Sequence, residues 1–357
     1  MTSGLDRGWK GSRVAALTSD IMKNLCCSPV PLGTLAGIVL GVAALVEGIE
    51  PASARKPIPV ILATDIGDDI DDTWALGLIL RSPELDLKLV VGDYGRATYR
   101  ARLLARFLER AGRTDVPVGV GMDIEPKGGE GRQAEWIKEY DLKAYPGKVH
   151  ADGVQAMIDV IMKSEQPVTL IAIGPLPNVA EALKREPRIA RHARFVGMQG
   201  SVRKGYDGAP KPDAEWNVKA NPEASRAVFT AAWDMTITPL DTCGLVRLRG
   251  DQYAKVRDSK DPVAVAIIEN YRAWAASSGE ADLKALSATG RSTLFDTVAV
   301  YLSFSHDLCV MERVPLQVTD DGFTRIEPSA KPVLAALGWK DLRGFEDLLA
   351  SRLTSRR

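Results

Sequence analysis

Five aspartates, Asp65, Asp68, Asp69, Asp71 and Asp72, are crowded into the stretch TDIGDDIDD. Carboxylates at that density repel one another, and a chain tolerates them only where they are solvated, protonated, used as helix caps or neutralised by a cation. One or two acids suffice to cap a helix, so five point beyond capping, to a functional, ligand-binding site. Further along, Glu215 and Asn217 stand two apart around Trp216, a spacing that in extended chain sends both polar groups to one side. Asp296 opens an apolar segment, as a cap or as a ligand. In the run IGPLPN, Pro175 and Pro177 lack backbone donors and leave carbonyls such as that of Ile173 free to face a cation. Zinc is not indicated: His150, His192 and His306 are scattered, and no Cys or His pair has ligand spacing.

The elements that must position these groups follow from the apolar pattern. Ile58 to Ala63 is aliphatic and uncharged, which predicts a strand buried on both faces of a parallel sheet, and Trp74 to Leu80 predicts a buried helix. The aspartates therefore sit at a strand's carboxyl end, where open α/β sheets bind ligands. Leu87 to Val91 is strand-like and runs into Gly92-Asp93, and Tyr99 to Arg110 is an amphipathic helix with Leu103, Leu104 and Phe107 on one face and arginines on the other. Strands are expected at Val116 to Val120, Val168 to Ile173, Phe195 to Met198 and Met235 to Leu240, with helices between them. This alternation predicts an α/β fold with a mostly parallel open sheet flanked by helices. The polar, Gly-rich stretch Met122 to Gly153 interrupts the rhythm, and its His150 is either a solvated turn residue or part of the site mouth. In the helix Val263 to Trp274, Tyr271 and Trp274 belong to the core or stack on a flat ligand. Asp241 reads as a turn cap, and the chain closes with a hairpin about Asp321-Gly322 and an amphipathic helix containing Phe345, Leu348 and Leu349.

The chain has 357 residues, with Lys plus Arg and Asp plus Glu both numbering 46. This balance gives no pull toward nucleic acid or an anionic membrane, and a small-molecule partner is expected. Residues 1–54 read as an export signal: basic residues precede the apolar run Val30 to Val46, and Pro51-Ala52-Ser53-Ala54 supplies small residues for cleavage, with Met22 an alternative start. Glycines 33, 37 and 41 interrupt a run barely long enough to span a bilayer, so no stable membrane insertion is expected once the signal is cleaved. Residues 55–357 are then one periplasmic or secreted domain, expected to form a homo-oligomer, in which Cys243 and Cys309 are buried free thiols.

Taken together, Thr64-Asp65-Ile66-Gly67 through Asp71-Asp72, the segment VTLIAIGPLPNVAEAL from Val168 to Leu183, AEWN at Ala214 to Asn217 followed by Asn221-Pro222-Glu223, and Leu294-Phe295-Asp296 resemble the nucleoside hydrolases of the inosine-uridine preferring type. The acidic motif is the variant with two residues inserted before the final Asp pair. The resemblance implies a Rossmann-like core and hydrolysis of the N-glycosidic bond of a ribonucleoside. It also implies a calcium ion held by Asp65, Asp72, Asp296 and the main-chain oxygen of Ile173. Asp65 would be the general base activating a calcium-bound water, Asp71 would bind the ribose 2'-hydroxyl, and Glu215 and Asn217 the other hydroxyls, with Asp93 where the family usually has asparagine. Two departures stand out: Ala63 replaces the family's first acid, and Phe295 stands where purine-active members often carry histidine. A phenylalanine donates no proton, so Tyr271 or His150 is the expected substitute on the leaving-group side. Two rival readings are an exported binding protein of the same fold without turnover, and a phosphatase of the haloacid-dehalogenase type. The latter needs a nucleophilic Asp where Ala63 stands.

Overall fold

Strand β1 (Ile58–Thr64) runs through the middle of the molecule, and nearly all of it is buried, as its aliphatic sequence requires. The computed structural model describes residues 56–124, 131–277 and 292–355; the expected export signal lies outside the described residues. Nine further strands follow: β2 (Leu85–Gly92), β3 (Val118–Gly119), β4 (Val149–His150), β5 (Val168–Ala172), β6 (Ala193–Met198), β7 (Met235–Thr238), β8 (Cys309–Val318), β9 (Thr324–Ile326) and β10 (Pro332–Trp339). They form one sheet in the order β4-β3-β2-β1-β5-β6-β7-β10-β8-β9. Pairing is parallel from β4 across to β10, and only β8 and β9 run antiparallel to their neighbours. The expected mostly parallel sheet is present, with an antiparallel edge added by the C-terminal hairpin.

Strand order reverses at β1. The chain steps outward through β2, β3 and β4, then returns to lay β5 on the opposite side of β1. Such a reversal opens a crevice at the carboxyl ends of the two strands, because their following loops diverge to opposite sides. Here the crevice lies between the loop after β1, which holds the aspartates, and the loop after β5, which begins at Ile173. Backbone bonds fix the three loops together: the Ile173 amide donates to the Ala63 carbonyl at 2.9 Å, and the Asp93 amide to the Thr64 carbonyl at 2.7 Å.

Alternation along β1 divides the core. Val60 and Leu62 join an apolar cluster on one face with the helices Asp71–Leu80, Ala97–Arg110 and Pro262–Ser277, while Ile61 and Ala63 join the cluster on the other face with Gly153–Lys163 and Pro177–Arg185. Every residue of the Asp71–Leu80 helix is buried. A helix apolar all round belongs between layers, which explains why its two leading aspartates are taken inside with it.

Three sequence expectations change. The stretch 122–153 is partly structured: Trp136 and Tyr145 are buried against the core, because a loop this apolar in its aromatics gains more from burial than from solvent. Tyr271 and Trp274 lie in the core as well, their rings 5.5 Å apart and Tyr271 edge-on to Trp74 at 6.0 Å, which leaves neither face of Tyr271 for a ligand. Arg100, assigned with the other arginines to the helix's outer face, is 1% exposed. The free thiols of Cys243 and Cys309 are buried as expected. No helix among the described residues is long and apolar enough to cross a membrane.

Candidate active site

A cavity of about 600 Å³ opens at the crevice. Seven carboxylates line it, Asp65, Asp68, Asp69, Asp71, Asp72, Glu215 and Asp296, together with Arg132, Ile173, Met198, Tyr206, Trp216, Asn217 and Phe295. The acids come from three places in the chain. The first five come from the loop after β1 and the first turn of the Asp71–Leu80 helix, Glu215 precedes the short helix Trp216–Ala220, and Asp296 precedes Thr297–Leu302.

Capping does not account for Asp71, Asp72 and Asp296. Ile70 is the N-cap of the Asp71–Leu80 helix and Asp296 that of Thr297–Leu302, and neither helix has a side-chain cap bond. Instead Asp71, Asp72 and Asp296 converge, each offering an oxygen within 4.8 Å of the others. At an effective dielectric of about 20, two charges that close repel by roughly 3 kcal/mol or more. Ionising all three together would cost an amount comparable to the whole stability of a domain. Burial first, and then the charges of neighbouring aspartates, Asp69 for Asp71, Asp65 for Asp72 and Asp71 for Asp296, push all three carboxyls well above their ordinary range. Thr64 donates its hydroxyl to Asp72, and Asp71 hydrogen-bonds Asp296. Three convergent carboxylates with the Ile173 carbonyl in the same cavity form an all-oxygen donor set, which fits a hard divalent cation. The Ile173 oxygen accepts from Asn217 Nδ2 at 3.2 Å and keeps its second lone pair.

Asp65, expected among the metal ligands, stands beside this trio, and Asp71, expected on the sugar, belongs to it. Burial raises the Asp65 carboxyl to about 7, against the pull of Arg100, which places it where a base works near neutral pH. Its carboxylate lies so close to Gly174 that a Cβ there would come within 2.7 Å of Oδ1. Asp93, expected at the sugar, is not among the residues that line the cavity: its Oδ1 accepts the amides of Tyr94 at 2.9 Å and Asn178 at 3.1 Å, Oδ2 has no partner among the described residues, and burial raises the group to about 8.

Glu215 and Asn217 do reach the cavity, but not from extended chain. Glu215 caps the helix Trp216–Ala220, its Oε1 accepting the Asn217 amide at 2.7 Å and its Oε2 the Gly200 amide at 2.8 Å, because a carboxylate satisfies the otherwise unpaired first-turn donors. Gly200 has φ +82 and packs on Thr324, whose hydroxyl holds the Ser201 backbone, so the C-terminal hairpin secures the Glu215 loop. Asp241 does related work, accepting the amides of Val202 and Arg203 at 2.9 and 2.8 Å rather than capping its own turn.

Two residues expected near the leaving group lie elsewhere. His150 is on β4 at the sheet edge, and the Tyr271 hydroxyl bonds Ser292 within the aromatic core; neither lines the cavity. The residue the sequence reading missed is Arg100. Its guanidinium donates to the backbone oxygens of Asp65, Ile66 and Tyr94 and pairs with Asp68 Oδ2 at 2.9 Å. Asp68 is thus ion-paired, not simply solvated. Around the same loop, the Tyr99 hydroxyl donates to the Gly67 carbonyl at 2.8 Å, Gln133 Nε2 to that of Asp69 at 2.6 Å and Trp274 Nε1 to that of Asp68 at 3.1 Å. Gly67 has φ +128, a conformation open to glycine and costly for other residues.

The sequence profile of the family described as inosine-uridine preferring nucleoside hydrolase matches residues 60–333. A pyrimidine-specific ribonucleoside hydrolase RihA from Enterobacter is 33% identical over 225 residues, spanning 59% of this chain and 69% of that one. A non-specific ribonucleoside hydrolase RihC from Klebsiella pneumoniae is 31% identical over 67% of this chain and 81% of its own, and a probable uridine nucleosidase 1 from Oryza sativa is 30% identical over 61% and 70%. Among solved structures, a plant nucleoside hydrolase superposes with a TM-score of 0.69 at 22% identity, covering 84% of this chain and all of that one, which shows the fold.

Two measurements follow from this geometry. A carboxyl raised by burial holds its proton more tightly in the folded chain than in the unfolded one, so the stability it contributes is complete below about pH 4 and is lost as pH rises toward and past 7. Metal-free protein is therefore expected to melt at progressively lower temperature from pH 5 to 8, and a millimolar divalent cation should restore the loss; a melting temperature indifferent to both would contradict the cation site. Replacing Arg100 with Met strips donors from three buried carbonyls and is expected to destabilise the fold by about 2–4 kcal/mol in a denaturant titration.

Proposed function

This chain belongs to the inosine-uridine preferring nucleoside hydrolase family and is an enzyme that hydrolyses the N-glycosidic bond of ribonucleosides to give ribose and free base, and we propose that it uses calcium and prefers pyrimidine ribonucleosides. The observation that carries the calcium reading is the convergence of Asp71, Asp72 and Asp296, oxygen donors alone, in a cavity that Ile173 also lines. Support for the pyrimidine reading comes from the relatives named pyrimidine-specific and uridine nucleosidase, and from Phe295, which leaves no imidazole among the cavity residues.

In this reading the cavity divides into two ends. The acidic end takes the sugar: Glu215 and Asn217 meet ribose hydroxyls beside the trio of Asp71, Asp72 and Asp296. When bound, the cation supplies positive charge that lowers the pKa of water and binds sugar hydroxyls. As the bond from C1' to the base nitrogen lengthens, positive charge spreads over C1' and the ring oxygen. The surrounding carboxylates are already oriented to meet it, so little reorganisation is needed. Water attacks C1', and Asp65 takes its proton, a role suited to a carboxylate that ionises near neutrality. The base leaves with the bonding electron pair toward Met198, Tyr206, Trp216 and Phe295. We further propose export to the periplasm or beyond, supported by the basic-then-apolar pattern of residues 1–54 and the small residues that end it.

Reducing-sugar release from uridine, cytidine, inosine and adenosine, with chelator and after calcium is returned, tests the reading. Release is expected to be highest with the pyrimidines, to vanish with chelator and to return with calcium, whereas nucleoside binding without release would sink it. Asp65→Asn is expected to lower kcat by about 10²- to 10⁴-fold with the fold intact. Turnover close to wild type in that variant would remove Asp65 as the base.

A further inference from the structure

Tyr206 is outside every motif that identifies the family, yet it lines the cavity beside Phe295, its ring edge-on to the phenylalanine at 6.2 Å and 83°. Its loop is built to hold it there. The Tyr206 amide donates to Asp213 Oδ2 at 2.9 Å, Asp207 sits in the left-handed region at φ 55, and the Asp207 carboxylate pairs with Arg247. Its hydroxyl accepts the Trp216 amide at 2.9 Å. That bond occupies an oxygen lone pair and leaves the hydroxyl proton without an acceptor among the described residues. Tyr206 remains 37% exposed, and its partly covered ring together with the Glu215 charge holds the phenol above its ordinary range, so the proton is present at neutral pH.

Few other donors are available at this end. Asn217 Nδ2 is spent on the carbonyls of Ile173 and Met198, at 3.2 and 3.0 Å. Arg132 lies by the acidic rim, where its charge favours the ionised form of Asp69. Phe295 and Met198 have no side-chain N–H or O–H, and the Trp216 indole, 52% exposed, stands further out in solvent than Tyr206 at 37%. A base leaving with an electron pair needs a donor to receive the charge, and the Tyr206 hydroxyl is oriented and unspent.

We propose that Tyr206 is a catalytic residue of the leaving-group side, donating a hydrogen bond to the departing base, at the 2-carbonyl oxygen when that base is a pyrimidine. The inference rests on the reading of the cavity as a ribonucleoside hydrolase site. The bond from C1' to N1 breaks with both electrons going to the base, and the hydroxyl of water adds to C1' while its proton goes to Asp65. Tyr206 keeps its own proton throughout; the base is protonated from solvent after release, and Asp65 returns its proton to solvent, so atoms and charges balance.

The test compares two substrates. Uridine has a poor leaving group that needs the hydrogen bond, whereas p-nitrophenyl riboside has a leaving group that departs without assistance. Tyr206→Phe keeps the ring against Phe295 and removes only the hydroxyl. It is expected to lower kcat on uridine on the order of 10- to 100-fold, the effect of one hydrogen bond to a charged group, while most of the turnover of p-nitrophenyl riboside is retained and KM for uridine changes little. Equal losses on both substrates would mean that Tyr206 only shapes the cavity, and unchanged turnover of uridine would mean that it has no part in departure; either result overturns the proposal. If wild-type protein released sugar from neither substrate, the hydrolase reading itself would fall, and this inference with it.

Discussion

The mutual repulsion of carboxylates held out of water is the constraint on which this structure turns. Asp71, Asp72 and Asp296 come within 4.8 Å of one another in a site where solvent screens little. Nothing about such a cluster favours folding by itself. It persists because the surrounding fold is large enough to bear it and because protons or a cation relieve the charge. The same crowding that costs stability gathers oxygen donors that could hold a cation.

Much of the surrounding architecture acts on this cluster from behind. Arg100 is buried and spends its donors on the backbone of the acidic loop and on Asp68, so it lends positive charge to Asp65 without blocking the cavity. Tyr99, Gln133 and Trp274 bond the carbonyls of the same loop from three different parts of the chain. On the other wall, Thr324 of the antiparallel hairpin fixes Gly200 and Ser201, and Gly200 in turn bonds Glu215. The hairpin at the far edge of the sheet thus helps to hold the Glu215 carboxylate through two linked hydrogen bonds, a positioning role invisible in its own sequence.

Much of the fold was legible because its signals are local. The aliphatic run before Asp65, the proline-bounded end after Ile173 and the alternation of strand and helix follow from burial and backbone chemistry over a few residues. The site was legible in part for the same reason: five acids at one strand end are too many to cap a helix, whatever surrounds them. Arg100 was misplaced because helical periodicity separates faces but does not say which polar residue another segment will cover; its partners in the acidic loop lie more than thirty positions away in sequence. Tyr271 and His150 were candidates by residue type, and packing decided otherwise, seating one against Trp74 and the other on the edge strand. Tyr206 carried no signal at all, since only a fold that sets it beside Phe295 makes its hydroxyl relevant.

By itself, then, the sequence determined a parallel α/β sheet, an acidic loop at the end of its central strand, and a set of oxygen donors suited to a hard cation. Those are consequences of residue type and short-range spacing, which covalent geometry translates directly into strands, helices and turns. Only the tertiary structure decided that Asp71 joins Asp72 and Asp296, that Glu215 reaches the site as a helix cap, and that Tyr206 and Phe295 meet edge to face in the cavity lining. Each of those depends on where segments far apart in the chain come to rest. That placement is set by the summed packing of two apolar faces against one sheet, a quantity no single stretch of sequence contains.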